Sequence, residues 1–449
     1  MSVSTGVDEL DELLGGGFIP GSTTLIAGNP GSGKTTFATQ FIYRNALVHG
    51  NPGVYVSFTE DKVSFYRHMG IFGFDFKALE KKRLFKYLFI PISARSVSAN
   101  VLIDSILSSV REVKARCIAI DSITSVLQSL DAVGARAFFN SLINVVLKPL
   151  GITAVIVADL PMGVETVGYG FEEFLVDNIF ILRLEEKGGL TRRIIEFRKI
   201  REKPIPRVCY EFIIGRNGIR LYLPYALGLK GSYSFERVST GIPDLDKMLN
   251  GGFLKGSIVL LTGPTGTGKT MIAMMFALTG AIKGEKVAYI SFEESAEQLA
   301  NLIKSLGYDY EAVKDKLLIT SPSPRLFTPG ALYHYVEDLI VSTGASRIVI
   351  DGMAALSRQY SEEEYLELTR SLAHLIKTRG VTAVFTSLAD FSLGEVVGIS
   401  TAADVVIALW FNMEDSVIKR KISVIKARGS SHDRRVRELV FEKGRILIR

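Results

Sequence analysis

The 449-residue chain repeats one pattern of residues about 235 positions further on, and this duplication limits its fold more than any single motif does. Thr5-Gly6, Leu10-Asp11, Leu14-Gly15-Gly16-Gly17-Phe18 and Gly21 return as Thr240-Gly241, Leu245-Asp246, Leu249-Asn250-Gly251-Gly252-Phe253 and Gly256. The glycine-rich run 28–35 returns at 263–270, VSFTE at 56–60 as ISFEE at 290–294, and AIDS at 119–122 as VIDG at 349–352. The offset shortens from about 235 to about 230 along the way, which places insertions and deletions in loops between matched elements. A solenoid repeat is about 20–50 residues long, so a unit of about 220 is a complete domain. The predicted domains are 1–230 and 231–449, joined near the short glycine-containing stretch Leu227 to Ser234.

Within each copy, apolar β-branched runs alternate with helical patterns. Predicted strands in the first copy are Thr23 to Ala27, Val54 to Phe58, Cys117 to Ile120, Ala154 to Ala158 and Asn178 to Leu184. Phe37, Ala38, Phe41, Ile42 and Ala46 fall at helical spacing, as do Ile272, Ala273, Phe276, Ala277, Gly280 and Ala281 in the second copy. Strand and helix in alternation predict a mainly parallel twisted sheet flanked by helices, an α/β fold present twice.

Each glycine-rich run fits the phosphate-binding pattern G-x-x-x-x-G-K-[ST] between an apolar strand and a helix start. The predicted nucleotide contacts are Gly28, Asn29, Pro30, Gly31, Ser32, Gly33, Lys34, Thr35 and Thr36 in the first copy. Gly263, Pro264, Thr265, Gly266, Thr267, Gly268, Lys269, Thr270 and Met271 are their counterparts in the second. Glycines let backbone N–H groups turn inward on phosphate oxygens, and the helix N-terminus adds the positive end of its dipole. Lys34 and Lys269 would reach the outer phosphates of ATP, while Thr35 and Thr270 would ligate Mg2+. Asp121 and Asp351 each close a short apolar run, which makes them the expected Walker B acids of the Mg2+ shell.

Hydrolysis also needs a carboxylate to orient or deprotonate water. Glu293-Glu294 follow the strand after the second P-loop helix, at the edge where the phosphates should lie. The first copy has Thr59-Glu60 there, and threonine is no base near neutral pH. Either Glu60 serves alone or the first domain turns over more slowly.

With both P-loops, the T-G…L-D…L-G-G-G opening, the acidic strand end and the Walker B acid all duplicated, the chain resembles KaiC and the wider RecA-like ATPases. The resemblance covers nearly the whole chain. Lys426-Ala427-Arg428-Gly429-Ser430-Ser431-His432 resembles that family's K-x-R-G-[ST]-x-H stretch, whose lysine and arginine reach the γ-phosphate in a neighbouring subunit. Lys199-Ile200-Arg201 begins the same way but continues Glu202-Lys203-Pro204. The resemblance therefore implies a ring, a homohexamer with ATP between protomers. It further implies autophosphorylation of Ser400 and Thr401, with Glu293 as base, where the first copy has Glu173-Phe174. The long C-terminal tail of the cyanobacterial clock protein is not found after Arg449, so a circadian role is not expected to carry over, and any regulatory protein partner is left unnamed.

Composition narrows the alternatives, a DNA-dependent RecA-type ATPase and a nucleotide-gated scaffold with a weakly hydrolysing first domain. Lys plus Arg number 53 against 47 Asp plus Glu, a net charge of +6 scattered along the chain. That balance argues against nucleic acid as a partner. The richest basic clusters are Arg192, Arg193, Arg198, Lys199, Arg201, Lys203 and Arg207, and Arg434, Arg435 and Arg437. They read as solvated or interface strands. The two cysteines, Cys117 and Cys209, lie in apolar strand-like runs, where buried, unpaired thiols in a reducing cytoplasm are expected. The five histidines show no ligand spacing. The N-terminus lacks a signal-peptide pattern and no apolar run reaches the roughly 18 residues of a membrane span, so a cytoplasmic protein without membrane attachment is expected.

Overall fold

A computed structural model describes residues 2–91, 99–161, 163–164, 166–201, 204, 207–224, 234–388, 399–414, 416–442 and 444–449. The chain divides into two compact units, Met1–Leu223 and Pro224–Arg449. Of the expected join, residues 227–233 lie outside the described residues, as do Glu202 and Lys203 of the first K-x-R stretch and Gly398 ahead of Ser400.

In the first unit the strands are β1 (Thr23–Gly28), β2 (Gly53–Ser57), β3 (Phe85–Phe89), β4 (Cys117–Asp121), β5 (Thr153–Asp159), β6 (Asn178–Lys187), β7 (Leu190–Ile200), β8 (Cys209–Gly215) and β9 (Gly218–Leu221). They form one sheet in the order β3-β2-β4-β5-β1-β6-β7-β8-β9. Pairing is parallel from β3 to β6 and antiparallel from β6 to β9. In the second unit a small pair, β10 (Arg237–Val238) and β11 (Phe253–Leu254), precedes β12 (Ile258–Thr262), β13 (Val287–Ser291), β14 (Leu317–Thr320), β15 (Arg347–Asp351) and β16 (Thr382–Ser387). β17 (Val405–Glu414), β18 (Val417–Ala427), β19 (Arg437–Glu442) and β20 (Arg445–Ile448) complete it. The order β14-β13-β15-β16-β12-β17-β18-β19-β20 repeats the first sheet strand for strand.

Both faces of the parallel part are covered, so its strands are apolar at successive positions instead of alternating. Leu25 joins Ile118, Ile156 and Leu142 on one face of the first sheet. Its neighbour Ile26 joins Phe41, Tyr55 and Phe180 on the other. Phe37 and Phe41 of the helix Lys34–His49 are fully buried, each contributing about 2–3 kcal/mol of transfer free energy. This anchors the P-loop helix on the sheet and fixes where its N-terminus points.

Cys117 is buried as expected, and burial pushes its thiol up to about 12. Cys209 is exposed, contrary to the reading of its apolar run. It opens β8 opposite Glu196, and strand alternation sends Tyr210 and Phe212 inward while Cys209 faces out. Among the described residues no helix is long and apolar enough to cross a membrane.

Candidate functional site

In parallel sheets, ligand-binding loops gather at the carboxyl ends of the strands. Both copies put their predicted phosphate loops there, directly after β1 and β12. The last loop glycine needs its missing side chain: Gly33 has φ 107° and Gly268 φ 105°, and a Cβ on Gly268 would lie 2.4 Å from Phe441 Cζ. Lys34 Nζ donates to the carbonyls of Gly28 at 2.8 Å and Asn29 at 3.0 Å. Lys269 Nζ makes the same pair of bonds, to Gly263 at 2.7 Å and Pro264 at 2.8 Å. Burial lowers the pKa of Lys269, against the attraction of Glu293 and Asp351.

Behind each lysine a hydroxyl meets a carboxylate. Thr35 Oγ1 donates to Asp121 Oδ2 at 2.6 Å, and Thr270 Oγ1 to Asp351 Oδ1 at 3.4 Å. A tyrosine that the sequence reading missed holds each acid from the adjacent strand. Tyr55 Oη donates to Asp121 Oδ2 and Tyr289 Oη to Asp351 Oδ2, both at 2.7 Å. Its signal was present in the shared position of Tyr55 and Tyr289 within the duplicated strands. Burial raises the Asp121 pKa, opposed by the bonds from Thr35 and Tyr55. Burial and the adjacent Asp pushes both phenols well above their ordinary range. A threonine hydroxyl beside one carboxylate is a hard oxygen donor set that suits Mg2+, an ion that keeps waters and substrate phosphates as its other ligands. Among the described residues no group of three or more His, Cys, Asp or Glu that could hold a metal ion is gathered.

The acidic turns after β2 and β13 are built alike. Ser57 Oγ accepts from the Glu60 N–H at 3.1 Å, and Ser291 Oγ from the Glu294 N–H at 2.9 Å. Glu293 lies across Gly352, the residue after Asp351: a Cβ on Gly352 would fall 2.7 Å from Glu293 Cγ. Burial raises the Glu294 pKa, with Asp351 and Glu293 adding to it. In the first copy Thr59 is exposed, and the Glu60 carboxylate lies 2.6 Å from His68 Nδ1.

The K-x-R residues are not brought to the P-loop of their own copy. Lys199 pairs with Ile179 near the start of β6, which adjoins the start of β1, whereas Gly28 ends β1. Lys199 Nζ instead donates to the carbonyls of Glu173 and Val176 at 2.8 and 2.7 Å. Lys426 Nζ holds Ser400 O and Ala403 O, both at 2.7 Å. Burial lowers both lysine pKa values, as do the nearby Arg201 and Arg428. Arg201 bonds Asp177 and Arg428 bonds the Thr401 carbonyl, each at 3.3 Å. Ser400 and Thr401 lie in the short helix Ile399–Ala402 at this same end, away from Lys269. Several residues of the basic clusters are paired: Arg198 with Glu173 and Glu196, Arg435 and Arg437 with Asp433. Lys203 lies outside the described residues.

Two sheets of equal strand order, each with a P-loop, a Thr–Asp pair and a tyrosine behind it, define a tandem P-loop ATPase of the RecA-like type. The chain belongs to the KaiC family of ATPases: the family model described as "ATPase: KaiC" matches residues 3–225 and again 238–449. It is similar to the circadian clock oscillator protein KaiC of Parathermosynechococcus lividus, 33% identical over 99% of this chain and 85% of that protein. The protein of that name from Thermostichus vulcanus is 33% identical over 98% of this chain and 88% of its own length, and that from Synechococcus elongatus 32% over the same shares.

Proposed function

We propose that the chain is a cytoplasmic, Mg2+-dependent ATPase that binds one ATP in each domain and completes its sites at the subunit interfaces of a homohexameric ring. The observation that carries this reading is the hydroxyl–carboxylate pair behind the P-loop lysine, Thr35–Asp121 and Thr270–Asp351, built twice on matching strands. Loop amides and the helix N-terminus hold the phosphates, and Lys34 and Lys269 leave their loop carbonyls for the outer phosphates. Thr35 with Asp121, and Thr270 with Asp351, would hold Mg2+, which would supply charge neutralisation at the phosphates. In the second domain Glu293, helped by Glu294, orients the attacking water; in the first, Thr59 stands at the place of Glu293, and an acid from outside that position, Glu60 or another, has to take the role.

The separation of the K-x-R residues from their own P-loop supports a role across a subunit boundary. Arg201 and Arg428 then meet the γ-phosphate of a neighbour, while Lys199 and Lys426 fasten the backbone beside them. Ser400 and Thr401 stand at that same boundary, which supports autophosphorylation at a neighbouring protomer's second site, with Glu293 as base. A regulatory protein that senses the ring is part of this reading, and nucleic acid is not, given the near balance of 53 Lys plus Arg against 47 Asp plus Glu. The oscillator function in the relatives' names is not inferred for this chain.

Phosphate release by Lys34→Ala, Lys269→Ala and Glu293→Gln variants, with mass by light scattering, tests the reading. Each lysine variant should lose part of the turnover and the double variant all of it, and ATP with Mg2+ should give a hexamer mass. Full turnover in the double variant, or a monomer with ATP and Mg2+, would reject it. Intact mass after incubation with ATP should rise by phosphate units, and not in Ser400→Ala/Thr401→Ala; an unchanged mass rejects autophosphorylation.

A further inference from the structure

The two domains place a carboxylate beside the P-loop lysine from different strands. In the second it comes from the turn after β13, where Glu293 crosses the bare backbone of Gly352. The first domain has no acid at that place: Thr59 is the repeat of Glu293, and Ser122 stands where the second copy has Gly352.

A different acid fills the gap. Asp159 ends β5, in parallel register with Gly28, the first P-loop residue. One carboxylate oxygen, Oδ1, lies 3.3 Å from Lys34 Nζ, and the other, Oδ2, accepts from Ser122 Oγ at 2.8 Å. The Asp159 N–H donates to Thr124 Oγ1 at 2.8 Å, which fixes the residue's backbone as well. In the second domain Thr262 pairs with Ser387, so Leu388 takes this position and has no carboxylate to offer. Ser122 and Asp159 thus go together in one copy, Gly352 and Glu293 in the other. β5 flanks the Walker B strand β4 on one side, while β13 flanks β15 on the opposite side. Glu60 is the acid of the turn after β2, and its Oε1 lies 2.6 Å from His68 Nδ1, where the second copy has Leu302.

We propose that Asp159 is the catalytic carboxylate of the first nucleotide site, in the role that Glu293 takes in the second. This rests on the reading that the first domain hydrolyses ATP. When ATP enters, Lys34 turns to the outer phosphates and Asp159 Oδ1 is released, while Ser122 keeps Oδ2 in place. Asp159 accepts a hydrogen bond from the attacking water. As the water oxygen bonds to the γ-phosphorus, the bond from that phosphorus to the bridging oxygen breaks, and its electron pair leaves with ADP. The water proton passes to Asp159 and from there to solvent.

The test uses the full chain with Glu293→Gln as parent, and the same parent carrying Lys34→Ala as background for the second site. Turnover above that background belongs to the first site. Adding Asp159→Asn, nearly isosteric, should lower this turnover about 100-fold or more with KM for ATP changed less than about threefold, whereas adding Glu60→Gln should change it only a few-fold. Retained ATP binding by the Asp159→Asn protein shows that the site is folded. Unchanged turnover with tighter ATP binding would overturn the proposal, because Asp159 would then only compete with phosphate for Lys34. A 100-fold loss in Glu60→Gln would overturn it in favour of Glu60. If the parent shows no turnover above background while the first site binds ATP, the reading of a hydrolytic first domain fails, and this proposal with it.

Discussion

Asn45 and Arg347 hold equivalent carbonyls in the two copies from non-equivalent positions. Asn45 Nδ2 donates to Ser4 O at 2.8 Å and Phe41 O at 2.9 Å; Arg347 Nη1 donates to Ser239 O and Phe276 O, both at 3.0 Å. Ser239 and Phe276 are the repeats of Ser4 and Phe41, yet Asn45 lies on the P-loop helix while Arg347 opens β15. Both tie the N-terminal segment of the copy to the helix that carries the phosphate loop.

Gly280 stands at the repeat of Asn45 and leaves room for this arginine: a Cβ there would lie 2.6 Å from Arg347 Cδ and Nε. Arg347 cannot retreat, because Nε and Nη2 each donate to Glu285 at 2.7 Å and its guanidinium stacks on Phe276 at 4.7 Å. Alanine normally stabilises a helix interior by about 1 kcal/mol over glycine. Here Gly280→Ala should destabilise the second domain by about 1–3 kcal/mol net, as overpacking does. The chain's one tryptophan, Trp410, lies in β17, so its fluorescence during urea unfolding reports on that domain.

Glu285→Gln should show a cost that depends on pH. Hydrogen bonds from Arg347 hold the Glu285 carboxyl below its ordinary range, in spite of its partial burial. A carboxylate with a depressed folded pKa contributes stability above its unfolded value, near pH 4.3, and loses it as pH falls through the folded value. The substitution should cost about 2 kcal/mol at pH 7, and the difference from the parent should shrink between about pH 5 and pH 3. The same Trp410 unfolding curves measure it, and a cost independent of pH would exclude the ionised pair as its source.

Tyr289→Phe removes the donor that orients Asp351 Oδ2, leaving Thr386, which bonds Oδ1, as its strand-side support. Residues that orient a metal ligand are worth about 10-fold or more in metal affinity. In a Lys34→Ala background, the Mg2+ concentration for half-maximal phosphate release should therefore rise about 10-fold, with the maximum reached at saturating Mg2+. An unchanged Mg2+ requirement would separate Tyr289 from the metal site.

The phosphate loops were legible because eight contiguous residues encode them, with a strand before and a helix after. Asp121 and Asp351 were legible for a similar reason, each closing an apolar run. Asp159 closes a run of the same kind, Thr153 to Ala158, but what gives it a role is register: β1 and β5 are far apart in sequence, and only their pairing puts Asp159 beside Gly28. Arg347 was hidden because the carbonyls it serves belong to two other segments. The antiparallel strands β7 and β8 were read as basic or apolar runs without pairing, since alternation on a half-covered sheet mixes charged residues such as Arg193 with buried ones such as Ile195. That mixture also explains why exposed Cys209 passed for a core residue.

Two complete nucleotide sites in one chain are the central claim, and equilibrium ATP binding stoichiometry tests it most directly. The intact chain with Mg2+ should bind two ATP, each of Lys34→Ala and Lys269→Ala one, and the double variant none. A single ATP per intact chain, or two retained in either lysine variant, would contradict it.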